Sequence, residues 1–334
     1  MLTHTIQRLK ASPLFYLFLS SRELFHSNFW LWLSEVNKKE TIQLFSKKIP
    51  TEDLQFIREF NQKFGENKAK IDLYIANAVV IENKVKDFPT AEQMHRIKMA
   101  FSGKDVEFVL ATLFCFDELN FEGWNIITYR EISEKISPER FATDPYHLHL
   151  INDYKSFLSH LAELAEQLEI KQAYNFAIAF EPEVFRQLNG IKLWEGYQKM
   201  RASHLLYQFE PFNIHGVKTG YSVNNQKATI DFVVQIIEDF NVGIQIENDQ
   251  YRKFVSSKNA GGFASALIQN EIFLNSAFKG RGNKPFLNYG EHFKYQYTLL
   301  ESVLTFEELF AQVNMDIEYI LKNKEVIRSL TLNS

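Results

Sequence analysis

Apolar residues recur at helical spacing in two stretches near the start of the chain. Between residues 14 and 36 they indicate an amphipathic helix, and Ser20 and Glu23 have the S-x-x-E spacing of a capping box. The charged, amphipathic stretch Thr51–Phe64 also favours a helix. We therefore expect two helices before the first strand.

The hydrophobic period then changes from helical to strand-like. Lys70–Ile75 and Ala78–Val85 are rich in apolar and β-branched residues, and Ala76-Asn77 between them is suited to a turn. This pattern predicts a β-hairpin.

Helix and strand signals alternate beyond the hairpin. Pro89-Thr90 opens a predicted helix that ends near Gly103. The continuous apolar run Val106–Phe116 predicts a buried strand, and Trp124–Thr128 predicts a shorter one. The order of these elements predicts an α/β fold, in which a mixed sheet is flanked by helices.

The second half of the chain has a different mixture of patterns. Asp153–Leu168 favours a helix, strand-like segments such as Ala228–Ile237 and Val242–Glu247 follow from about residue 174, and Phe306–Ser329 favours one or two amphipathic helices. With 334 residues and 46% hydrophobic content, the chain is long enough for two modest domains. We expect an α/β domain over residues 1–150 and an α+β region over residues 151–334.

Composition limits the cellular locations and the kinds of nucleic-acid binding that we expect of this protein. No window reaches the roughly 18 uninterrupted apolar residues of a membrane span, and the N-terminus lacks the layout of a secretion signal. We therefore expect a cytoplasmic protein that does not contact the membrane. The net charge of −4 disfavours a protein that coats nucleic acid electrostatically, because such domains are usually strongly basic.

Charged residues interrupt the apolar hairpin at three positions. Asp72 lies on its first strand, and Glu82 and Lys84 lie on the same face of its second strand, in the spacing D-x9-E-x-K. If the strands pair through the predicted turn, the two carboxylates come close enough to share a divalent cation, and oxygen ligands suit Mg²⁺, with Mn²⁺ as a substitute. Lys84 then lies where it can orient or deprotonate a metal-bound water.

A solvated strand face is the alternative for these residues. On a buried strand, however, two charged side chains are costly unless they are paired or bind a metal. Val79-Val80-Ile81 and Val85 surround Glu82 and Lys84 with apolar residues, which favours the buried site.

The hairpin and the helix before it resemble a known family. The run Lys70-Ile-Asp-Leu-Tyr-Ile followed by Val80-Ile-Glu-Asn-Lys-Val-Lys86 is similar to the PD-(D/E)XK nuclease superfamily, and its I-E-N-K tetrad resembles one prokaryotic branch. The segment Arg22–Leu33 looks like the first helix of that branch. The likeness covers residues 14–130, and it departs from the pattern at Ile71, where proline is usual.

The resemblance implies a restriction-endonuclease-like core that hydrolyses phosphodiester bonds with a metal-activated water. By position, Asp72, Glu82 and the backbone carbonyl of Asn83 would hold the metal. Glu23 would be an upstream acidic ligand on the first helix, and Gln93 would support the site from the next helix.

Several of these helpers also have ordinary structural explanations. Glu23 could serve only the capping box, and Gln93 could be a first-turn polar residue. His26 lies one turn after Glu23 and could contact the substrate, although a lone histidine on a helix more often makes a common polar contact. We keep His26 as a candidate substrate contact.

A second hairpin signal echoes the first in the other half of the chain. Ile230-Asp-Phe232 and Ile246-Glu-Asn-Asp249 resemble the residues around Asp72 and Glu82, but 16 residues rather than 10 separate Asp231 from Glu247. A degenerate second nuclease-like unit remains open, while an unrelated hairpin of similar strand residues is favoured. We assign no catalysis there.

Cations concentrate in the same half of the chain. The segment between Tyr251 and Gln296 contains seven Lys or Arg residues and two Glu residues. Within it, the loop Lys279–Pro285 combines three cations with two glycines. Such a loop suits a phosphate by backbone approach and guanidinium contact. The predicted substrate-binding residues here are Arg252, Lys253, Lys279, Arg281 and Lys284.

The sequence thus favours a Mg²⁺-dependent nuclease, expected to cut DNA in preference to RNA, and the resemblance alone places it in bacterial restriction, repair or defence against phage. The alternative is a catalytically silent module of nuclease fold that binds nucleic acid or a protein partner. A homodimer or an accessory protein is left open as a partner. An endonuclease is the working expectation, but the choice between endonucleolytic and exonucleolytic action stays open, because no residue decides it.

Overall fold

A computed structural model describes residues 2–47, 54–65, 67–116, 119–168, 182–208, 216–224, 227–247, 250–274, 285–300 and 305–332. The chain divides into two compact units. The first unit comprises Met1–Glu169 and Arg186–Met200, and the second comprises Ile170–Phe185 and Arg201–Ser334. The division differs from the expected boundary at residue 150, because one unbroken helix runs across that position.

The first unit is an α/β structure built on one mixed sheet. Its strands are β1 (Phe56–Phe64), β2 (Asn67–Ile75), β3 (Val79–Lys84), β4 (Glu107–Thr112) and β5 (Trp124–Thr128), and they lie in that order across the sheet. β1, β2 and β3 pair antiparallel, whereas β3, β4 and β5 pair parallel. The mixed sheet with flanking helices confirms the predicted α/β class.

Helices of this unit precede, connect and follow the strands. Within the described ranges they are α1 (Leu2–Ala11), α2 (Leu14–Val36), α3 (Lys38–Gln43), α4 (Ala91–Ala100), α5 (Tyr129–Lys135), α6 (Pro138–Phe141), α7 (Pro145–Gln167), the part of α8 (Pro182–Gly190) from Arg186 onward and the first half of α9 (Trp194–Gln208). The strand-like character expected from about residue 174 is wrong for residues 182–208, where α8 and α9 lie, but it is confirmed for Ala228–Ile237 and Val242–Glu247, which lie in strands.

The hairpin turn forms where the sequence places it. Asn77 adopts a positive φ of 57°, which asparagine tolerates better than most residues. Leu73 pairs with Ile81 and Ile75 with Val79, so the two strands are in register around this turn. Every residue of β3 is buried, because β2 and β4 flank it and helices cover the sheet.

One predicted element has the wrong type. The stretch expected to be helical up to Phe64 is strand β1 over Phe56–Phe64. Ile57, Phe60 and Phe64 all pack against the core beneath α4. Their spacing of three and four residues imitates a helix, because Glu59 adopts a positive φ of 50° and interrupts the alternation of the strand.

The second unit carries an antiparallel sheet with helices. Its strands are β6 (Val217–Asn224), β7 (Lys227–Ile237), β8 (Phe240–Glu247), β9 (Gln250–Ser256), β10 (Leu287–Asn288) and β11 (Phe293–Leu299), in the spatial order β10-β11-β9-β8-β7-β6. The helices α10 (Ala260–Gln269), α11 (Phe306–Lys322) and α12 (Lys324–Leu332) contribute to its apolar core. The expected α+β character and the expected C-terminal helices are confirmed.

No helix in the described part of the chain combines the length and the apolar character that crossing a membrane requires.

Candidate functional site

Asp72 lies where β2 and β3 begin to separate. Their recorded pairing ends at Leu73 and Ile81, and the backbone N–H of Asn83 donates to Asp72 Oδ2 at 2.8 Å. If the pairing of β2 with β3 continued, the N–H of Asn83 would donate to a main-chain oxygen of β2. It donates to the side-chain carboxylate of Asp72 instead. This contact fixes Asp72 beside the Glu82-Asn83-Lys84 end of β3.

Glu82 is nearly fully buried, and its two oxygens have different surroundings. Its Oε1 lies 2.9 Å from Lys84 Nζ and accepts a hydrogen bond from Gln93 Nε2 at 2.6 Å. Its Oε2 is buried without a hydrogen-bond partner among the described residues. An unpartnered buried carboxylate oxygen is costly, so this atom is an available ligand for a cation.

The carboxylates perturb one another electrostatically. Burial raises the pKa of Glu82 to about 7, and the charge of Asp72 acts in the same direction against the opposing pull of Lys84. Burial also raises the pKa of Asp72, although the amide of Asn83 partly offsets this. Two carboxylates that resist ionisation side by side favour a site that gains from a positive ion.

Lys84 remains positively charged in this site. Burial by itself lowers the pKa of its ammonium, but the ion pair with Glu82 and the charge of Asp72 outweigh burial, so the pKa is raised above its ordinary value. The amine is therefore suited to stabilising negative charge and to donating a proton rather than to accepting one.

Glu23 approaches the site from α2 and binds backbone. Its Oε1 accepts from the amides of Val85 and Lys86, each at 3.2 Å. The expected capping box is wrong, because Ser20 Oγ donates to the Leu17 carbonyl and the helix is interrupted at Ser21, with φ −158°. The contacts place the Glu23 carboxylate at the end of β3, and its predicted role as a metal ligand stays a prediction.

Asn83 ties the motif strand to two neighbouring elements. Its side-chain amide donates to the backbone carbonyl of Glu23 at 2.8 Å, and its Oδ1 accepts from the Tyr129 hydroxyl at 2.7 Å. Both side chains are buried. Tyr129 was missed by sequence reasoning, and its only signal is its position directly after strand β5.

The loop after β3 is held by a segment more than a hundred residues away. A Cβ at Gly196 would lie 2.8 Å from the Lys86 carbonyl oxygen, so only glycine permits this approach of α9. Lys199 Nζ lies 2.7 Å from Asp87 Oδ1. Burial acts to raise the pKa of Asp87, but the hydrogen bond and charge of Lys199 lower it overall. Such distant contacts leave no local pattern in the sequence.

His26 does not lie where a substrate could reach it. Its side chain is fully buried among aromatic rings, and Nδ1 is 3.0 Å from the Tyr154 hydroxyl. Burial lowers its pKa to about 3, so the ring is neutral. The predicted substrate contact of His26 is wrong in this structure, because the helix turns this side chain into the aromatic core.

Two predicted substrate-binding cations of the second unit are already paired. Arg252 is 6% exposed and binds both oxygens of Glu247, at 2.6 and 2.9 Å. Lys253 is 8% exposed and lies 2.6 Å from Asp316 Oδ1. These cations do not form the predicted phosphate-binding surface, because carboxylates of the same unit neutralise them. Lys279, Arg281 and Lys284 lie outside the described residues.

The echoed motif forms a hairpin of another topology. β7 and β8 pair antiparallel, with Thr229 opposite Glu247 and Asp231 opposite Gln245. Gln245 Nε2 donates to Asp231 Oδ1 at 2.8 Å. β8 is followed by the antiparallel β9, whereas β3 is flanked by the parallel β4. This confirms the preference for an ordinary hairpin.

The donor set of the first unit fits Mg²⁺. No group of three or more His, Cys, Asp or Glu side chains gathers as a metal site within the described ranges. Mg²⁺ in proteins is commonly held by one or two carboxylates, with water and substrate phosphate filling the other positions. Asp72 and Glu82 supply two carboxylates, and Glu82 Oε2 is buried without a hydrogen-bond partner among the described residues.

Comparisons of the chain with family models, with curated proteins and with solved structures found no match.

Proposed function

We propose that this chain is a Mg²⁺-dependent nuclease that hydrolyses phosphodiester bonds of DNA. The observation that carries the proposal is the unpartnered, buried Oε2 of Glu82 beside the carboxylate of Asp72 and the ammonium of Lys84. A protein that only binds DNA has no physical need for two buried carboxylates and an amine around one point.

The sheet of the first unit supports a restriction-endonuclease-like core as part of this proposal. The antiparallel order β1-β2-β3 is followed by helix α4 and the parallel strand β4. This order agrees with what the I-E-N-K resemblance implies for the elements around Asp72 and Glu82.

Each side chain has a defined task in the proposed reaction. Asp72 and Glu82 would hold the metal, which when bound would acidify a water and neutralise charge on the phosphate. Gln93 holds Oε1 of Glu82, which orients Oε2. Glu23 binds the amides after Lys84 and so fixes the backbone that carries the ammonium.

Hydrolysis consumes one water for each bond that is cut. The water oxygen releases a proton to solvent and forms a new bond to phosphorus, while the bond from phosphorus to the leaving oxygen breaks and that oxygen becomes free to take up a proton from solvent. Lys84 stabilises the negative charge that grows on the phosphate oxygens, and the leaving oxygen takes up a proton. The products are a terminal phosphate monoester and a hydroxyl.

The test compares wild type with Lys84→Ala and with Lys39→Ala, a control at an exposed lysine of α3. Supercoiled plasmid, linear DNA, single-stranded DNA and RNA are incubated with Mg²⁺, Mn²⁺ or EDTA. We expect cleavage of DNA that needs the cation and that falls about 10²–10³-fold in Lys84→Ala. Cation-dependent binding without cleavage by wild type would instead favour the catalytically silent module.

A further inference from the structure

β1 and β2 form a two-stranded ribbon that extends past the third strand. Their pairing continues from Phe60 opposite Ile71 to Phe64 opposite Asn67, whereas the recorded pairing of β2 with β3 covers only Leu73–Ile75. One face of the ribbon packs against the core beneath α4 through Phe60 and Phe64. The other face is left to solvent.

The solvent side of this ribbon is basic. Asn61, Lys63, Lys68 and Lys70 are exposed there, and the strand register sets Lys63 opposite Lys68 and Asn61 opposite Lys70. We call these four residues the basic ribbon face. Like charges directly opposite each other destabilise a sheet. Neither Lys63 nor Lys68 has an ion-pair partner among the described residues, where the ion pairs of β1 and β2 join Glu59 to Arg58 and Lys70.

The sign of this charge is opposite to the net charge of the chain. Residues 56–71 contain four cations, Arg58, Lys63, Lys68 and Lys70, against Glu59 and Glu66, which gives a local charge of 4 − 2 = +2 in a protein of net charge −4. A local excess of cations in an acidic protein is the electrostatic signature of a surface for an anionic partner.

A strained residue holds one end of the basic ribbon face in place. Glu59 adopts a positive φ of 50°, which is uncommon outside glycine, and the pairing of β1 with β2 omits it without a change of register. Its carboxylate lies 2.5 Å from Lys70 Nζ and 3.5 Å from Arg58. Glu59 thereby places an acidic group beside the cations nearest to Asp72.

The basic ribbon face is continuous with the candidate site. Lys70 lies two residues before Asp72 on β2, so the alternation of the strand places both residues on the same face of the sheet. An anion held by Lys70 therefore lies beside the proposed cutting centre.

We propose that the basic ribbon face binds the phosphate backbone of double-stranded DNA and guides it to Asp72 and Glu82, an inference that rests on the proposed nuclease function. Sites for single strands combine cations with aromatic side chains on which bases stack. The four residues of this face include no aromatic side chain, and the aromatic residues Phe60 and Phe64 are turned toward the core. The surface thus offers charge without stacking, which suits a duplex.

The test measures binding separately from cleavage. Fluorescence anisotropy with a labelled duplex of about 25 base pairs in EDTA compares wild type with Lys63→Ala/Lys68→Ala and with the control Lys38→Ala/Lys39→Ala, which removes the same charge from exposed positions of α3 in the same unit. Circular dichroism confirms that each variant is folded. We expect the ribbon variant to bind about tenfold more weakly or worse, with the slope of log K against log salt reduced by about 2, and the control to bind like wild type.

Glu59→Gln tests the proposal with a change expected to strengthen duplex binding rather than weaken it. Removing this carboxylate frees Lys70 and Arg58, so we expect tighter duplex binding by severalfold. Equal losses in the ribbon and control variants would overturn the proposal, because the effect would then follow net charge alone. Tighter binding of a single strand or of RNA than of the duplex would also overturn it.

A small substrate separates this inference from the proposed function. We expect Lys63→Ala/Lys68→Ala to hydrolyse bis-p-nitrophenyl phosphate as wild type does, because that diester is too small to need the ribbon. If wild type hydrolyses no diester but binds duplex DNA through Lys63 and Lys68, the nuclease proposal fails and the ribbon proposal stands. If wild type cuts DNA and Lys63→Ala/Lys68→Ala binds the duplex as tightly as wild type does, the ribbon proposal fails and the nuclease proposal stands.

Discussion

The hairpins β2–β3 and β7–β8 carry nearly the same residues in different surroundings. Both have an Ile-Asp pair on the first strand and an Ile-Glu pair on the second, and Asn is the next residue in both sequences. Around Glu247, Arg252 from the adjacent antiparallel strand binds both carboxylate oxygens. Around Glu82, only one oxygen is bonded, and the other is buried without a partner among the described residues.

The strand on the far side of each hairpin explains this difference. β9 returns directly from β8, so its register sets Arg252 opposite Gln245 and brings the guanidinium onto Glu247. β3 is flanked instead by β4, whose residues opposite Glu82 and Lys84 are Leu110 and Thr112. Similar sequences thus give an ion pair that uses both oxygens of Glu247 in one sheet. In the other sheet, one oxygen of Glu82 has no hydrogen-bond partner among the described residues.

The largest expected effect comes from the same substitution in both hairpins. Glu82→Gln removes a ligand of the proposed metal and should lower the cleavage rate about 10²–10³-fold. Glu247→Gln should leave the cleavage rate within about twofold of wild type and lower the free energy of unfolding by about 1–3 kcal/mol, because Arg252 loses its charged partner. Initial cleavage rates and urea unfolding measure the two quantities. Equal loss of cleavage in both variants would contradict the assignment of the site to the first hairpin.

A second difference between the hairpins should appear as a dependence on pH. The pKa of Glu82 is raised to about 7, so the folded state keeps a proton that the unfolded state has released. Without metal, the contribution of Glu82 to stability therefore falls as pH rises from about 4.5 to 7 and is constant above that range. Because a metal competes with this proton, Mn²⁺ should bind about tenfold more weakly at pH 6 than at pH 8.

Titration calorimetry with Mn²⁺ at several pH values checks this expectation. Binding should be lost in Asp72→Ala and retained in Glu247→Gln. A wild-type affinity that does not change between pH 6 and 8 would argue against Glu82 as a ligand.

The smallest expected effect concerns the loop after β3. Gly196→Ala places a Cβ 2.8 Å from the Lys86 carbonyl oxygen, so the backbone that Glu23 binds must shift. We expect a destabilisation of about 1–3 kcal/mol and a cleavage rate lowered more than duplex binding. Gly190→Ala is the control, because no atom lies within 4 Å of its Cβ position. If the two alanine variants cleave equally well, α9 does not position the loop.

Much of the first unit could be predicted because its signals are local. The turn at Ala76-Asn77, the strand Trp124–Thr128 and the carboxylates of the hairpin follow from period and residue type alone. Gln93 was predicted from the resemblance, and it donates to Glu82 at 2.6 Å. The positions of these residues along neighbouring elements of the sequence were enough to predict them.

The rest depends on contacts that sequence spacing does not encode. The positive φ of a single residue, Glu59, interrupts the alternation of strand β1 and leaves it with the apolar spacing of a helix. His26 looked like a site residue because it follows Glu23 by one turn, but its ring lies in the aromatic core. Arg252 and Lys253 looked like a basic surface because their carboxylate partners are recognisable only once the strands are paired.

Because Arg186–Met200 belongs to the first unit, the choice of where to end an expression fragment matters. An expression fragment that ends after α7 contains every residue of the I-E-N-K motif but lacks Gly196 and Lys199, which hold the loop behind it. The first unit is therefore not one contiguous segment of the chain. A fragment or fusion that is meant to retain this unit should include the residues through Met200.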